Sequence, residues 1–117
     1  MQTCHHESEH LHTAQSAKGN MLSEEELAKI SAQFKVMSEP SRLKVLLALR
    51  HGELCVYHIV EAVGGTQSAV SHQLRILRDN QIIRARREGQ NILYSLADLH
   101  VTSLLDMACD HLACKEV

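Results

Sequence analysis

From residue 27 onward, apolar positions recur at helical spacing. Leu27, Ile30, Phe34 and Met37 fall on one face, and Ser23 with Glu26 has the spacing of a capping box just ahead of them. Pro40 suits the first position of a second helix, where its missing N–H is not needed. That helix is predicted to reach about Arg50, with Gly52 stopping it. Val56, Ile59, Val60 and Val63 repeat at i, i+3, i+4, i+7, which places a short third helix over 54–63 with that face buried. Gly64-Gly65-Thr66 breaks it, and Thr66 is a good cap for a fourth helix over 67–79, whose inner stripe is Val70, Leu74 and Leu77. The period then drops to two. Residues 82–87 and 91–96 read as strands joined by a turn at Glu88-Gly89-Gln90. A last helix is predicted from Leu99 to about Lys115, with Val101, Leu104, Leu105, Ala108 and Leu112 on its apolar face. Residues 1–22 are polar and aperiodic and read as a flexible arm containing His and Cys. Residues 23–117 make one domain, mostly α with a small β-hairpin.

Composition narrows the function. A chain of 117 residues with 44% apolar and 22% charged side chains can bury a core, so a chain disordered throughout is excluded. The longest apolar run, Val45 to Leu49, is five residues. A membrane span needs about 20, so no membrane partner is expected. No signal-peptide pattern is visible at the start. A cytoplasmic location with reduced cysteines is the expectation. Aromatics are only 3%, too few for a platform that stacks single-stranded bases. Net charge is −2 but unevenly spread: residues 75–88 sum to +3 and residues 98–117 to −3. One basic patch in an otherwise acidic chain points to a local anionic partner.

Two helices joined by a three-residue, glycine-rich break match a helix-turn-helix. The fourth helix opens with Gln67 and carries Ser68, Ser71, His72 and Arg75 on a second stripe beside the apolar one. Short hydrogen-bonding side chains with one arginine suit base edges in a major groove. Taken alone, such a stripe is more often a solvated face. The hairpin changes that balance, because Arg84, Arg86 and Arg87 cluster on it, where they would neutralise phosphates and fix register on double-stranded DNA.

Three segments carry a family resemblance: Glu53-Leu54-Cys55-Val56, Ser68-Ala69-Val70-Ser71-His72-Gln73-Leu74 and Gly89-Gln90-Asn91-Ile92-Leu93-Tyr94. Together, over about residues 24–114, the chain resembles the ArsR/SmtB family of bacterial metal-sensing repressors. The resemblance implies a winged helix-turn-helix homodimer that sits on operator DNA and is released by metal.

The last helix carries Asp98, His100, His111 and Cys114. His111 and Cys114 are three residues apart and can share a metal. His100 lies eleven residues before His111, a rise of roughly 16 Å along a helix, whereas zinc ligands lie about 2 Å from the ion. Two antiparallel copies remove the difficulty. The pairings of 100 with 111 and 98 with 114 need nearly the same register, centred near residue 106. That gives two equivalent sites per dimer, each taking Asp98 and His100 from one chain and His111 and Cys114 from the other. It matches the last-helix site of the zinc-sensing branch, except that Cys114 stands where that branch has His or Glu. Zinc is therefore expected, and the thiolate leaves cadmium, lead or cobalt open. Asp98 has an alternative role as a simple helix cap. Cys55 and His58, three residues apart, form a second candidate site with Cys4 and a histidine of the arm, resembling the family's other site. Cys109 points off the ligand stripe and reads as a packed thiol.

Rival readings are a thiol redox or persulfide switch and a His-rich metal buffer. Cys109 and Cys114 are five residues apart, a rise of roughly 7.5 Å, too long for an unstrained disulfide. The arginine wing argues against a buffer. No nucleophile–base pair is evident, so an enzyme is not expected.

Overall fold

The sequence-predicted caps are made. Ser23 and Glu26 exchange backbone-to-side-chain hydrogen bonds at 3.1 Å each. Thr66 accepts from the Ala69 N–H at 3.1 Å. The computed structural model describes residues 7–114, with side chains over 13–113. Its elements are α1 (Glu7–Gly19), α2 (Glu24–Ser38), α3 (Pro40–Leu49), β1 (Leu54–Cys55), α4 (Val56–Val63), α5 (Gln67–Asp79), β2 (Ile83–Glu88), β3 (Asn91–Leu96) and α6 (Leu99–Cys114). The chain divides into two compact units, Met1–Ser31 and Ala32–Val117.

Two elements depart from expectation. Residues 7–19, read as part of a flexible arm, form helix α1. The segment has no apolar stripe, but two Glu, two Ala, Leu, Gln and Lys give it helix formers interspersed among Ser, His and Thr. Leu54 and Cys55, placed in the third helix, instead form β1. They pair antiparallel with Tyr94 and Leu93 of β3, giving a three-stranded sheet of order β1-β3-β2. Cys55 has extended backbone and precedes the helix, which starts at Val56.

In the larger unit the core is aliphatic. Val45, Leu46 and Leu49 of α3 meet Ile59 of α4 and the stripe Val70, Leu74 and Leu77 of α5, with Ile82, Ile83 and Leu105 closing the cluster. No polar or charged side chain is buried among the described residues. By contrast, α2 contributes no buried residue, and its Phe34 is exposed. In α6, Leu99, Met107 and Leu112 are also exposed. The amphipathic faces read from sequence therefore remain partly uncovered in a single protomer.

Helix α3 begins with a carboxylate cap. Glu39 accepts from the Arg42 N–H at 3.1 Å, and the Ser41 hydroxyl donates to its carboxylate at 2.7–2.8 Å. The Ser41 hydrogen bonds hold the Glu39 carboxyl below the usual carboxylate range, against a small opposing effect of burial. A depressed folded pKa means that the cap stabilises fully above the unfolded value and is lost as pH falls through the folded one. Glu39→Gln should therefore flatten the acid limb of the melting temperature plotted against pH. An unchanged acid limb would show that the ionised cap contributes nothing.

Candidate functional site

Helices α4 and α5 are joined by Gly64 and Gly65, with φ of 82° and 86°. Side chains other than glycine rarely adopt that region, so the tight break between the helices depends on these residues. The buried stripe of α5 fixes its rotation. With Val70, Leu74 and Leu77 turned inward, Gln67, Ser68, Ser71, His72 and Arg75 are all exposed. All five are candidate readers from the sequence, and they lie on the exposed surface of one helix. Arg42 ties that helix back to the core: its Nε donates to the Val36 carbonyl at 2.7 Å and its Nη1 to Gln73 Oε1 at 3.3 Å.

Strands β2 and β3 form the wing. Glu88 pairs with Asn91 across Gly89-Gln90, and Gly89 has φ 64°. Directly opposed residues share a face of a sheet. Ala85 opposite Tyr94 and Arg87 opposite Ile92 therefore lie on the face that carries Ile83 into the core, while Arg84 opposite Ser95 and Arg86 opposite Leu93 lie on the other. Ser71, Arg75, Arg78 and Asp79 of α5 and Tyr94 of the wing line a cleft of about 430 Å³. Arg78 and Tyr94 were not candidates from the sequence. Arg78 lies there because it follows Ser71 and Arg75 at helical spacing, which the sequence already shows, whereas the place of Tyr94 follows from the sheet register and needs a worked-out hairpin pairing.

The three wing arginines differ. Arg84 and Arg87 are exposed and enter no ion pair among the described residues. Arg86 is forked on Glu53, Nε to Oε2 at 2.8 Å and Nη2 to Oε1 at 2.7 Å, and its Nη1 lies 2.9 Å from Glu88 Oε2. These hydrogen bonds raise the Arg86 pKa and lower that of Glu53. Glu53 was not a candidate, because its partner lies 33 residues away.

At the start of α6, Asp98 caps the helix. Its Oδ1 accepts from the His100 N–H at 2.9 Å and the Val101 N–H at 3.2 Å. The Val101 hydrogen bond leads in holding its carboxyl below the usual range, with His100 adding to the effect. The same oxygen lies 3.5 Å from His100 Nδ1, and the imidazole is exposed. Asp98 thus caps and also stands beside His100. His111 is exposed on the same helix, eleven positions on; the side chain of Cys114 lies outside the described residues. Among the described residues no three His, Cys, Asp or Glu side chains converge as a metal site within one protomer. Asp98 and His100 supply two hard-to-borderline donors, a fitting half of a four-ligand zinc set.

At the second candidate site Cys55 Sγ lies 3.3 Å from His58 Nδ1, although only His58 is helical. Cys55 is half-buried and His58 exposed. Cys4 lies outside the described residues. Cys109 is half-buried.

Fold and surface together define a winged helix-turn-helix regulator. Residues 39–85 match the family described as bacterial regulatory protein, arsR family. A "Transcriptional repressor SmtB homolog" of Synechocystis sp. is 38% identical over 112 residues, 96% of this chain and 85% of the relative. The "HTH-type transcriptional regulator NmtR" of Mycobacterium tuberculosis is 46% identical over 84 residues, covering 72% and 70%. Among solved structures, the homodimeric winged helix-turn-helix domain Mb0332 of Mycobacterium bovis superposes with a TM-score of 0.68 at 27% identity, covering 83% of this chain and 91% of that one. The chain belongs to the ArsR/SmtB family. Its members are transcriptional regulators, not enzymes. No helix among the described residues is long and apolar enough to cross a membrane.

Proposed function

We propose that this chain is a repressor that binds operator DNA as a homodimer and is released by zinc, with cadmium, lead or cobalt as the other ions that its donors suit. The observation that carries this reading is the Asp98–His100 pair. Two metal donors stand 3.5 Å apart on the exposed start of α6, while the remaining two candidates, His111 and Cys114, lie too far along the same helix to join them. A second copy supplies what one lacks. The uncovered apolar side chains Phe34, Leu99, Met107 and Leu112 give that copy something to bury. That the solved neighbour Mb0332 is homodimeric supports a two-copy assembly.

Reading of DNA falls to Gln67, Ser68, Ser71, His72 and Arg75, with Arg84 and Arg87 on phosphates. Dimeric readers must present their recognition helices about 34 Å apart. Metal held by Asp98 and His100 of one protomer and His111 and Cys114 of the other would supply a crosslink favouring a different spacing. Arg50, just after α3, lies 3.6 Å from Asp106 of α6, and this contact is the route by which we expect a shift of α6 to reach the rest of the domain. The coupling is reciprocal, and couplings of this kind are typically about 1–3 kcal/mol. The Cys55–His58 pair, completed by Cys4 and an arm histidine, is the second site.

Titration of the operator-bound protein with zinc, cadmium and cobalt tests the reading. Release is expected from the wild type, and its loss from His100→Ala and His111→Ala. Release that survives both changes but fails in Cys55→Ala would move the switch to the second site. A dimer that holds DNA at every metal concentration would remove metal sensing altogether.

A further inference from the structure

Arg86 belongs by sequence to the cluster expected on phosphate, yet its guanidinium is already occupied. Two of its nitrogens face Glu53 and the third faces Glu88. One cation between two carboxylates leaves the group with a net charge of −1, and a phosphate brought there would add a further anion. Geometry gives the group another role. The ladder pairs Leu54 with Tyr94, and Tyr94 with Ala85. One position back, Glu53 falls in line with Ser95 and Arg84, on the face that also carries Arg86. The fork therefore reaches from the edge of β1, past β3, to β2. It matters there because β1 has only two residues and joins β3 through only two ladder pairs. A bidentate arginine–carboxylate pair fixes direction as well as distance, and β1 runs straight into α4, the first helix of the reading motif.

We propose that the Glu53–Arg86–Glu88 group is a positioning latch. It holds the wing hairpin against β1 and the start of α4, so that Arg84 and Arg87 meet the phosphates in step with α5, while Arg86 itself neutralises none. The proposal rests on the operator-binding reading and concerns how that surface is set.

The test is binding to a duplex selected by the protein from random-sequence DNA, measured by fluorescence anisotropy between 50 and 200 mM salt. Arg84→Ala is the reference: removing one neutralised phosphate on each of the dimer's two wings should lower the slope of log affinity against log salt by about 1.8. For the latch, Arg86→Gln and Glu53→Gln should each weaken binding, on the order of 3- to 10-fold over two wings, with the slope unchanged. The double variant should be no weaker than the worse single one. Arg86→Lys keeps the charge but loses the fork, and should behave like Arg86→Gln. A slope lowered in Arg86→Gln as in Arg84→Ala, rescue by lysine, or tighter binding by Glu53→Gln would each place Arg86 on a phosphate and overturn the latch. Glu53→Gln leaves every wing arginine in place and decides the matter even where an Arg86 variant fails to fold. A wild type without salt-dependent duplex binding, or an Arg84→Ala variant with an unaltered slope, would instead count against the operator-binding reading.

Discussion

Leu77→Ala should lower the free energy of unfolding by about 2–5 kcal/mol, as large a loss as truncating any other fully buried core side chain. Leu77 has no exposed surface and sits on the inner stripe of α5, and its carbonyl accepts the Ile82 N–H at 3.0 Å as the chain turns towards the wing. The fully buried members of the core are all aliphatic, and branched side chains held in a packed cluster close only partly over a gap, so a cavity should persist. Domains of this size are held by about 5–15 kcal/mol in total, and a loss of about 3 kcal/mol corresponds to roughly 10–25 °C in melting temperature. Urea unfolding checks this directly: the midpoint should fall while the slope stays constant. A loss below about 1 kcal/mol would mean that the helices close over the gap and that the core is softer than its burial implies.

Arg75→Ala should produce the largest loss of sequence discrimination. Arg75 stands one turn after Ser71 on the exposed face of α5 and helps to line the cleft shared with Tyr94 of the wing. An arginine that grips a guanine edge is worth about 1–3 kcal/mol, and a dimer loses two. Selected duplexes should weaken far more than random ones, so the ratio between them should collapse. Arg84→Ala, by contrast, should weaken both alike, because phosphate contacts carry no sequence information. Equal weakening by Arg75→Ala would assign Arg75 to the backbone and leave reading to Gln67, Ser68, Ser71 and His72.

Local signals made the reading motif legible in the sequence. Two glycines, a threonine cap and an apolar repeat at helical spacing lie within a few residues of one another, and the structure keeps α5 at its expected bounds while α4 starts two residues later. Strand β1 was hidden because two residues carry no period. Leu54 and Cys55 become a strand only through β3, about forty positions later. Helix α1 was hidden for the opposite reason: composition favours it while no stripe announces it. Arg86 looked like its neighbours because a run of arginines does not show which of them has a carboxylate waiting elsewhere in the chain. The sequence put Asp98 and His100 of one chain in the same site and offered Asp98 as a cap; what it did not show is that one carboxylate oxygen, folded back over the first turn, accepts the cap hydrogen bonds and also stands beside the imidazole.

The wing's two-residue turn has a further consequence. Arg84 and Arg87 occupy opposite faces because the strands alternate, and Glu88 stands across from Asn91 with only Gly89 and Gln90 between. Sliding either strand by one place would exchange the faces and strand the arginines on the wrong flanks. An insertion inboard of the arginines therefore keeps both the register and their faces only when each strand gains two residues at once. Over evolutionary time its reach would change in quanta of two, and an odd-numbered insertion would be tolerated only where a bulge absorbs the extra residue.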